Sequence, residues 1–146
     1  MLPRSYSRAC EVTSASAQRL TYVDSSAIVK LAVSEPESSS LRHYLSRKPL
    51  VTSALARTEV ARALLALGPE AVERGEQVLR RIQLLRVNDR VLIAAGKMTP
   101  AELRSLDAIH LASAHALGSG LRCVVTYDAR LADAAEAIGC AVVSPT

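Results

Sequence analysis

The chain has 146 residues, of which 49% are hydrophobic and 22% charged. This length and balance are typical of one globular domain and exclude an intrinsically disordered chain. The formal net charge of +4 is compatible with binding a nucleic acid or an acidic partner, but it establishes neither. Because Trp and Phe are absent and only four Tyr are present, recognition of bases by an aromatic stacking platform is not expected.

The cysteines and the hydropathy pattern indicate the compartment. Cys10, Cys123 and Cys140 form no Cys-x-x-Cys pair, which argues against structural zinc and favours a reducing environment. No apolar run approaches the roughly 20 residues that a membrane span requires. We therefore expect a cytoplasmic protein without a membrane segment.

Residues 1–19 differ in character from the rest of the chain. They are rich in Ser, Arg and Ala, and they lack both hydrophobic periodicity and the apolar centre of a secretory signal. We expect a disordered N-terminal extension at 1–19 and a single folded domain at 20–146.

Strand and helix patterns alternate along residues 20–146. Short apolar runs predict strands at 20–23, 50–52, 86–88, 122–126 and 140–143. Longer segments predict helices at 25–33, 41–46, 54–67, 69–85, 89–98 (capped by Asp89), 106–117 and 129–138. This alternation is typical of an α/β fold with a mostly parallel sheet, in which ligands gather at the carboxyl ends of the strands.

Four acidic residues lie where such a fold could bring them together. Asp24 and Asp128 follow predicted strands, Asp107 begins a helix, and Glu59 lies within an apolar helix. Carboxylates are costly to bury without a counter-charge. Since no His or Cys cluster is present, a hard divalent cation such as Mg²⁺ or Mn²⁺ is the natural counter-charge for a set of oxygen ligands. The pattern indicates a metal-dependent phosphoryl-transfer enzyme.

Three of these acids also have a simpler interpretation. Asp24 and Asp128 each precede a helix and suit the N-cap position. Asp107 would be stabilised by the dipole of a helix first turn. Capping leaves carboxylate lone pairs free, so it does not exclude a metal-binding role.

Glu59 is harder to explain as a structural residue. It shares a predicted helix face with Leu55 and Ala63, and a Glu in an apolar stripe is rarely buried unless it is paired. The structural alternative to a site role is an ion pair with a basic residue such as Arg57 or Arg62.

Four segments carry a resemblance to a known family. They are YVDSSAIVK at 22–30, TEVARAL at 58–64, LDAIHLA at 106–112 and TYDARL at 126–131. Together they resemble the acidic motifs of PIN-domain ribonucleases, especially the VapC-type toxins of bacterial toxin–antitoxin pairs. The resemblance covers residues 20–146, with the motifs in the expected order.

The resemblance implies a three-layer α/β sandwich around a central, mostly parallel sheet. The acidic quartet that it implies consists of Asp24, Glu59, Asp107 and Asp128. Asp24 and Asp107 would hold Mg²⁺ (or Mn²⁺), with Glu59 and Asp128 as direct or water-mediated ligands. Ser26 and Thr126 would support the carboxylates by hydrogen bonds.

The resemblance also implies an activity and partners. The activity is that of an endoribonuclease toxin, in which hydroxide attacks the phosphodiester of structured RNA (tRNA or rRNA class) and leaves 5′-phosphate and 3′-hydroxyl ends. The implied partners are a second copy of the chain and a small VapB-type antitoxin, joined in a hetero-oligomer. Lys30 could contact RNA phosphate, although a solvated or salt-bridged Lys fits equally well. For His110, packing or hydrogen bonding is favoured over general-acid catalysis.

Other functions remain to be weighed. The PIN fold also suits an RNA-processing nuclease without a toxin role, or a binding module that has lost activity. A haloacid-dehalogenase-like phosphatase fits poorly, because it needs a second acid two positions after Asp24, where this chain has Ser26. A receiver domain fits poorly as well, because Asp128 stands where that fold needs a Lys.

Overall fold

The computed structural model describes residues 18–146, which form a single five-stranded sheet. The strands are β1 (Leu20–Val23), β2 (Leu50–Ser53), β3 (Gln83–Leu85), β4 (Leu121–Val125) and β5 (Val142–Val143). They lie in the order β3-β2-β1-β4-β5, and all four pairings are parallel. The extension expected at 1–19 lies outside the described residues except for its last two positions, so it stays a prediction.

Within residues 18–146, seven α-helices surround the sheet. They are α1 (Ser25–Ala32), α2 (Ser38–Leu45), α3 (Ala56–Leu64), α4 (Pro69–Leu79), α5 (Asp89–Ala95), α6 (Ser105–His115) and α7 (Ala129–Ala137). None of these helices has the length and apolar character needed to cross a membrane.

The core is divided by the sheet into two sides, as the expected three-layer sandwich requires. Val23 of β1 packs with α1 to α4, in a cluster that includes Ile28, Val60 and Leu64. The preceding residue, Tyr22, packs on the opposite side with Val124 and with Ala114 of α6. Because successive strand side chains point to opposite faces, β1 contributes to both halves of the core and is buried throughout its centre.

The order in which strands are added to the sheet switches sides at β1. The chain moves from β1 through β2 to β3 on one side, then returns to place β4 on the other side of β1. The carboxyl ends of β1 and β4 are therefore adjacent, and Val23 pairs with Val125. In open α/β sheets this switch point is where a ligand crevice forms.

The structure corrects the predicted boundaries around β3. Helix α4 ends at Leu79 rather than continuing to 85, and the third strand is Gln83–Leu85 rather than 86–88. The apolar spacing of residues 78, 79 and 82 suits a helix, but pairing with β2 selects the extended form from Gln83 onward. A three-residue edge strand is too short for its alternation to be read from sequence.

Several helix ends also differ from prediction. Asn88, not Asp89, caps α5, since its side chain accepts a hydrogen bond from the Val91 N–H at 3.0 Å. Helix α5 then ends at Ala95 instead of 98, and α2 begins at Ser38 instead of 41. The predicted 54–67 helix is the α-helix α3 followed by a 3₁₀ turn at Leu65–Leu67.

Helices α3 and α4 approach closely at Gly75. A Cβ atom at this position would lie 2.6 Å from Leu64 Cδ1 and 3.0 Å from Val60 Cγ1, and both of those side chains are buried. The absence of a side chain at Gly75 therefore sets the packing of α3, the helix that carries Glu59.

Replacing Gly75 with Val should destabilise the protein. The added methyl groups overpack the α3–α4 contact, and we expect the free energy of unfolding to fall by about 1–3 kcal/mol. Urea unfolding followed by circular dichroism measures the change. Gly96→Ala is the control, because its Cβ would meet the Ile93 and Leu92 carbonyl oxygens at 3.4 and 3.6 Å, which are ordinary contact distances. Equal stability of Gly75→Val and the wild type would contradict this account of the packing.

Candidate active site

Asp24 lies immediately after β1 and caps α1. Its Oδ1 accepts hydrogen bonds from the Ala27 N–H at 3.0 Å and from Ser26 Oγ at 2.6 Å, while its Oδ2 accepts from Thr126 Oγ1 at 2.5 Å. The residue is 4% exposed. Asp24 thus caps α1, as predicted, and the same carboxylate accepts the predicted hydrogen bonds from Ser26 and Thr126.

The hydroxyl groups around Asp24 join the ends of β1 and β4. Thr126 Oγ1 donates to Asp24 and accepts from the Asp128 N–H at 3.0 Å. Ser26 Oγ accepts from the Tyr127 N–H at 3.1 Å. The backbone at 126–128 is therefore held directly against Asp24, and the positions of the first and fourth acids depend on each other.

The electrostatic environment of Asp24 disfavours its charged form. Burial raises the pKa of Asp24 above its ordinary value, although hydrogen bonds from Ser26, Thr126 and Ala27 act in the opposite direction. No Lys or Arg forms an ion pair with it within residues 18–146. Asp24 is a buried carboxylate held by neutral donors, and it lacks a counter-charge.

Glu59 is held by a buried histidine. His110 Nε2 lies 2.5 Å from Glu59 Oε1, and Ser25 Oγ donates to the same oxygen at 2.8 Å. The Tyr22 hydroxyl lies 2.7 Å from His110 Nδ1 and accepts from the Ser53 N–H. Burial raises the pKa of Tyr22 well above its ordinary value, so its hydroxyl stays a donor, and the Nε2–H tautomer of His110 satisfies both partners.

This network sets the charge state of Glu59. Partial burial acts to raise the pKa of Glu59, but its interaction with His110 outweighs burial and holds the pKa below its ordinary value. The hydrogen bond from Ser25 and the charge of Arg104 act in the same direction. Glu59 is therefore ionised at neutral pH.

The predicted environment of Glu59 was only partly correct. The buried face of α3 consists of Ala56, Val60 and Leu64, whereas Ala63 is exposed, so Glu59 lies at the edge of the apolar face. Its partner is His110 rather than one of the nearby arginines. Sequence spacing identifies neighbours on the same helix, and this partner comes from α6, 51 positions away.

Asp107 and Asp128 share a partner that the sequence analysis missed. Arg104 Nε donates to Asp107 Oδ2 at 3.1 Å, and Arg104 Nη2 donates to Asp128 Oδ2 at 3.2 Å. Asp128 also caps α7, since its Oδ1 accepts from the N–H groups of Arg130 and Leu131. The spacing of three between Arg104 and Asp107 is the signal that could have identified the first of these pairs.

Contacts therefore connect all four predicted acids. Asp24 and Asp128 meet through Thr126, and Asp107 and Asp128 meet through Arg104. Glu59 joins through Ser25, the residue after Asp24. The structure brings the four acids to one edge of the sheet; their catalytic roles stay a prediction.

The four connected acids form a group, the acidic pocket, whose oxygen ligands fit a hard divalent cation. Carboxylate oxygens are preferred ligands of such cations, and a bound positive charge would stabilise the ionised form of the buried Asp24. Among the described residues, however, no three His, Cys, Asp or Glu side chains are arranged as a ready-made metal site. One oxygen of Asp107 and one of Asp128, the Oδ2 atom of each, contact Arg104 instead.

Lys30 is engaged in ion pairs. Its Nζ lies 2.5 Å from Glu35 Oε2 and 3.1 Å from Glu37 Oε2, and 4.8 Å from the ring centroid of Tyr127. This is the salt-bridged alternative considered for this residue. An RNA contact by Lys30 stays a prediction, and it would require exchange of these partners.

Comparison with known proteins agrees with the fold. The PIN domain family model matches residues 21–137. The chain is 57% identical to Ribonuclease VapC46 of Mycobacterium tuberculosis over 126 residues, which span 86% of this chain and 97% of that protein. It is 40% identical to Ribonuclease VapC35 of the same organism over 131 residues, with the same shares covered. The chain belongs to the PIN-domain family, among its VapC-type members.

Two solved structures share this fold. The crystal structure of Mycobacterium tuberculosis VapC20, described as a sarcin-ricin loop cleaving toxin, matches with a TM-score of 0.67 at 18% identity, covering 86% of this chain and 99% of that one. VapBC2 from Rickettsia felis, bound to a DNA fragment from its promoter, matches with a TM-score of 0.62 at 11% identity, covering 87% and 99%. At these identities the likeness establishes the fold.

Removing the charge of Asp24 should stabilise the metal-free protein at neutral pH. In the folded state the pKa of Asp24 is raised above its ordinary value of about 3.9. Ionisation of Asp24 therefore destabilises the folded state as the pH rises from about 3.9 through the raised pKa. In EDTA, Asp24→Asn should exceed the wild type in free energy of unfolding at pH 8, and the difference should shrink towards acidic pH. Chemical denaturation across this pH range measures both curves.

The matched control is Asp89→Asn at the exposed start of α5, which should change the free energy of unfolding by less than about 0.5 kcal/mol. A lower stability of Asp24→Asn than of the wild type at pH 8 would show that Asp24 is adequately compensated without a cation.

Truncating His110 should destabilise the protein strongly. His110→Ala removes a buried ring and leaves the Tyr22 hydroxyl and Glu59 without their partner, so we expect a loss of about 2–4 kcal/mol in the free energy of unfolding. Thermal and urea unfolding measure the loss. His115→Ala, in the exposed last turn of the same helix, should cost less than about 1 kcal/mol. Similar losses in the two variants would rule out a special role for the network.

Proposed function

We propose that this protein is a metal-dependent endoribonuclease that acts as the toxin of a toxin–antitoxin pair. The observation that carries the proposal is the connected set of Asp24, Glu59, Asp107 and Asp128 at the carboxyl edge of a PIN fold. The close relatives are named as VapC ribonucleases over nearly their whole length, which supports RNA as the substrate.

Mg²⁺ is the proposed cation, and Mn²⁺ could substitute for it. Asp24 and Asp107 would hold the ion directly, and Glu59 and Asp128 would contribute directly or through water. When bound, a divalent ion supplies activated water at neutral pH and stabilises negative charge on the phosphate oxygens.

The chain itself contributes a prepared electrostatic environment. Asp24 and Asp128 are the N-caps of α1 and α7, and Asp107 lies in the first turn of α6. The positive ends of three helix dipoles therefore meet the pocket, where they stabilise the ionised carboxylates and attract a phosphate group. Ser26 and Thr126 fix the orientation of Asp24, and His110 fixes that of Glu59.

Structured RNA of the tRNA or rRNA class is the proposed substrate. The chain has a net charge of +4 and lacks Trp and Phe, so recognition would depend on phosphate contacts and RNA shape rather than on stacked bases. In-line attack by water on the phosphodiester would leave 5′-phosphate and 3′-hydroxyl ends. This route does not require the 2′-hydroxyl, so end mapping is informative about the chemistry.

The proposed partners are a VapB-type antitoxin and a second copy of the chain, in a cytoplasmic hetero-oligomer. An antitoxin would neutralise the pocket by placing a basic side chain among the acids. Leu65 and Leu67, in the 3₁₀ turn that follows α3, are 59% and 61% exposed and would supply apolar contact area for a partner.

Two alternatives can be separated from this proposal by experiment. An RNA-processing PIN nuclease would cleave RNA without arresting growth, whereas a toxin arrests growth on induction and is relieved by a co-expressed neighbouring protein. An inactive binding module would retain RNA binding without cleavage. The presence of all four acids favours an active enzyme over that module.

Purified protein should cleave cellular RNA into discrete fragments with Mg²⁺ or Mn²⁺ and leave it intact with EDTA. Asp24→Asn should lower the cleavage rate by at least about 100-fold, because it removes a charged ligand of the activating cation. Gel analysis with mapping of fragment ends measures both effects.

Asp133→Asn on the exposed face of α7 is the matched control and should retain the wild-type rate within about a factor of two. Cleavage that persists in EDTA or in Asp24→Asn would overturn the proposed mechanism. Intact RNA under every condition, in a preparation shown to be free of antitoxin, would favour the binding module.

A further inference from the structure

Arg104 lies on the solvent side of the four acids, directly before α6. Its guanidinium spans two carboxylates that come from different helices, with donor–acceptor distances of 3.1 Å to Asp107 Oδ2 and 3.2 Å to Asp128 Oδ2. Among residues 18–146, it is the one Lys or Arg that pairs with any of the four acids. The positive charge of Arg104 therefore lies beside two of the carboxylates that would bind a metal cation.

The oxygen that Arg104 contacts on Asp128 is the one open to a ligand. Asp128 Oδ1 accepts hydrogen bonds from the Arg130 and Leu131 N–H groups at 2.9 and 3.2 Å, so both of its lone pairs are used by the helix cap. Only Oδ2 is directed away from the cap, and Arg104 binds it. A cation that binds Asp128 directly must therefore bind Oδ2, where the like charge of the guanidinium opposes it.

Arg104 is placed so that it can be displaced. Its side chain is 67% exposed, whereas those of Asp107 and Asp128 are 13% and 24% exposed. Ion pairs made by such exposed side chains are weak and screened by salt, and the released guanidinium can be hydrated. A divalent ion would concentrate twice the charge at the same oxygens.

We infer that Arg104 is a built-in counter-cation that competes with the divalent ion for Asp107 and Asp128. In the metal-free protein it offsets part of the negative charge of these two acids and reduces their mutual repulsion. On metal binding the guanidinium leaves Asp107 Oδ2 and Asp128 Oδ2 and moves into the solvent beside the acids. This inference rests on the proposed metal dependence, and it concerns a residue outside the acidic quartet.

The inference is tested by metal binding rather than by cleavage. Free Mn²⁺, measured by its electron paramagnetic resonance signal, is titrated against wild type, Arg104→Gln and Arg130→Gln in the absence of RNA. Arg130→Gln is the matched control, because it removes an exposed positive charge near Asp128 whose side chain makes no ion pair within residues 18–146. Circular dichroism confirms that each variant is folded.

Arg104→Gln should bind Mn²⁺ about three- to tenfold more tightly than the wild type, in keeping with the modest strength of two exposed ion pairs. Arg130→Gln should bind with a smaller change that vanishes as salt is raised. In the wild type, the Arg104 Nε–H resonance, identified by its loss in Arg104→Gln, should shift on addition of Mg²⁺ as the contact with Asp107 breaks.

Unchanged or weaker Mn²⁺ binding by Arg104→Gln, with normal binding by the wild type, would overturn the inference and leave the proposed function in place. An Arg104 Nε–H resonance that stays unmoved at saturating Mg²⁺ would also overturn it. Failure of all three proteins to bind Mn²⁺ would overturn the proposed metal dependence and this inference together.

Discussion

The hydrogen bond from Thr126 to Asp24 is the constraint on which the rest of the site depends. It joins the residues that follow β1, the central strand of the sheet, and its neighbour β4, at the switch point of the strand order. Because the same threonine oxygen accepts the Asp128 N–H, the start of α7 is fixed against the start of α1. The acids therefore meet as a consequence of sheet topology, and no insertion or lid is needed to assemble them.

Gathering carboxylates works against folding, and this structure offsets the cost in three different ways. Asp24 receives three neutral hydrogen bonds at a helix N-terminus. Glu59 receives a buried imidazole, and Asp107 and Asp128 share an exposed guanidinium. Asp24 is left least compensated, since burial dominates its environment. Such local conflict between stability and charge placement is expected where function, rather than folding, determines the residue.

The sequence could predict the elements and acids whose signals are local. Asp24 and Asp128 were identifiable because each follows a short apolar run and precedes a helix, and the α/β fold with a mostly parallel sheet followed from the alternation of elements. The limits of β3 were not identifiable, because pairing with β2 decides them. The His110–Glu59 contact and the Arg104–Asp128 contact join residues 51 and 24 positions apart, and only the folded chain brings these partners together.

The two basic side chains that pair with the acids, His110 and Arg104, differ in a way that separates these acids into two classes. His110 is 2% exposed and is held on its other side by Tyr22, so Glu59 cannot lose this partner without disrupting the core. Arg104 is mostly exposed and is held by the acids alone among the described residues, so Asp107 and Asp128 can exchange it for another cation at little cost to the fold. Asp24 has no cationic partner to lose. By this argument Asp107 and Asp128 are the acids at which an incoming cation, whether a metal ion or a partner's basic side chain, can replace an existing partner, with Asp24 buried beside them and Glu59 as a fixed neighbouring charge.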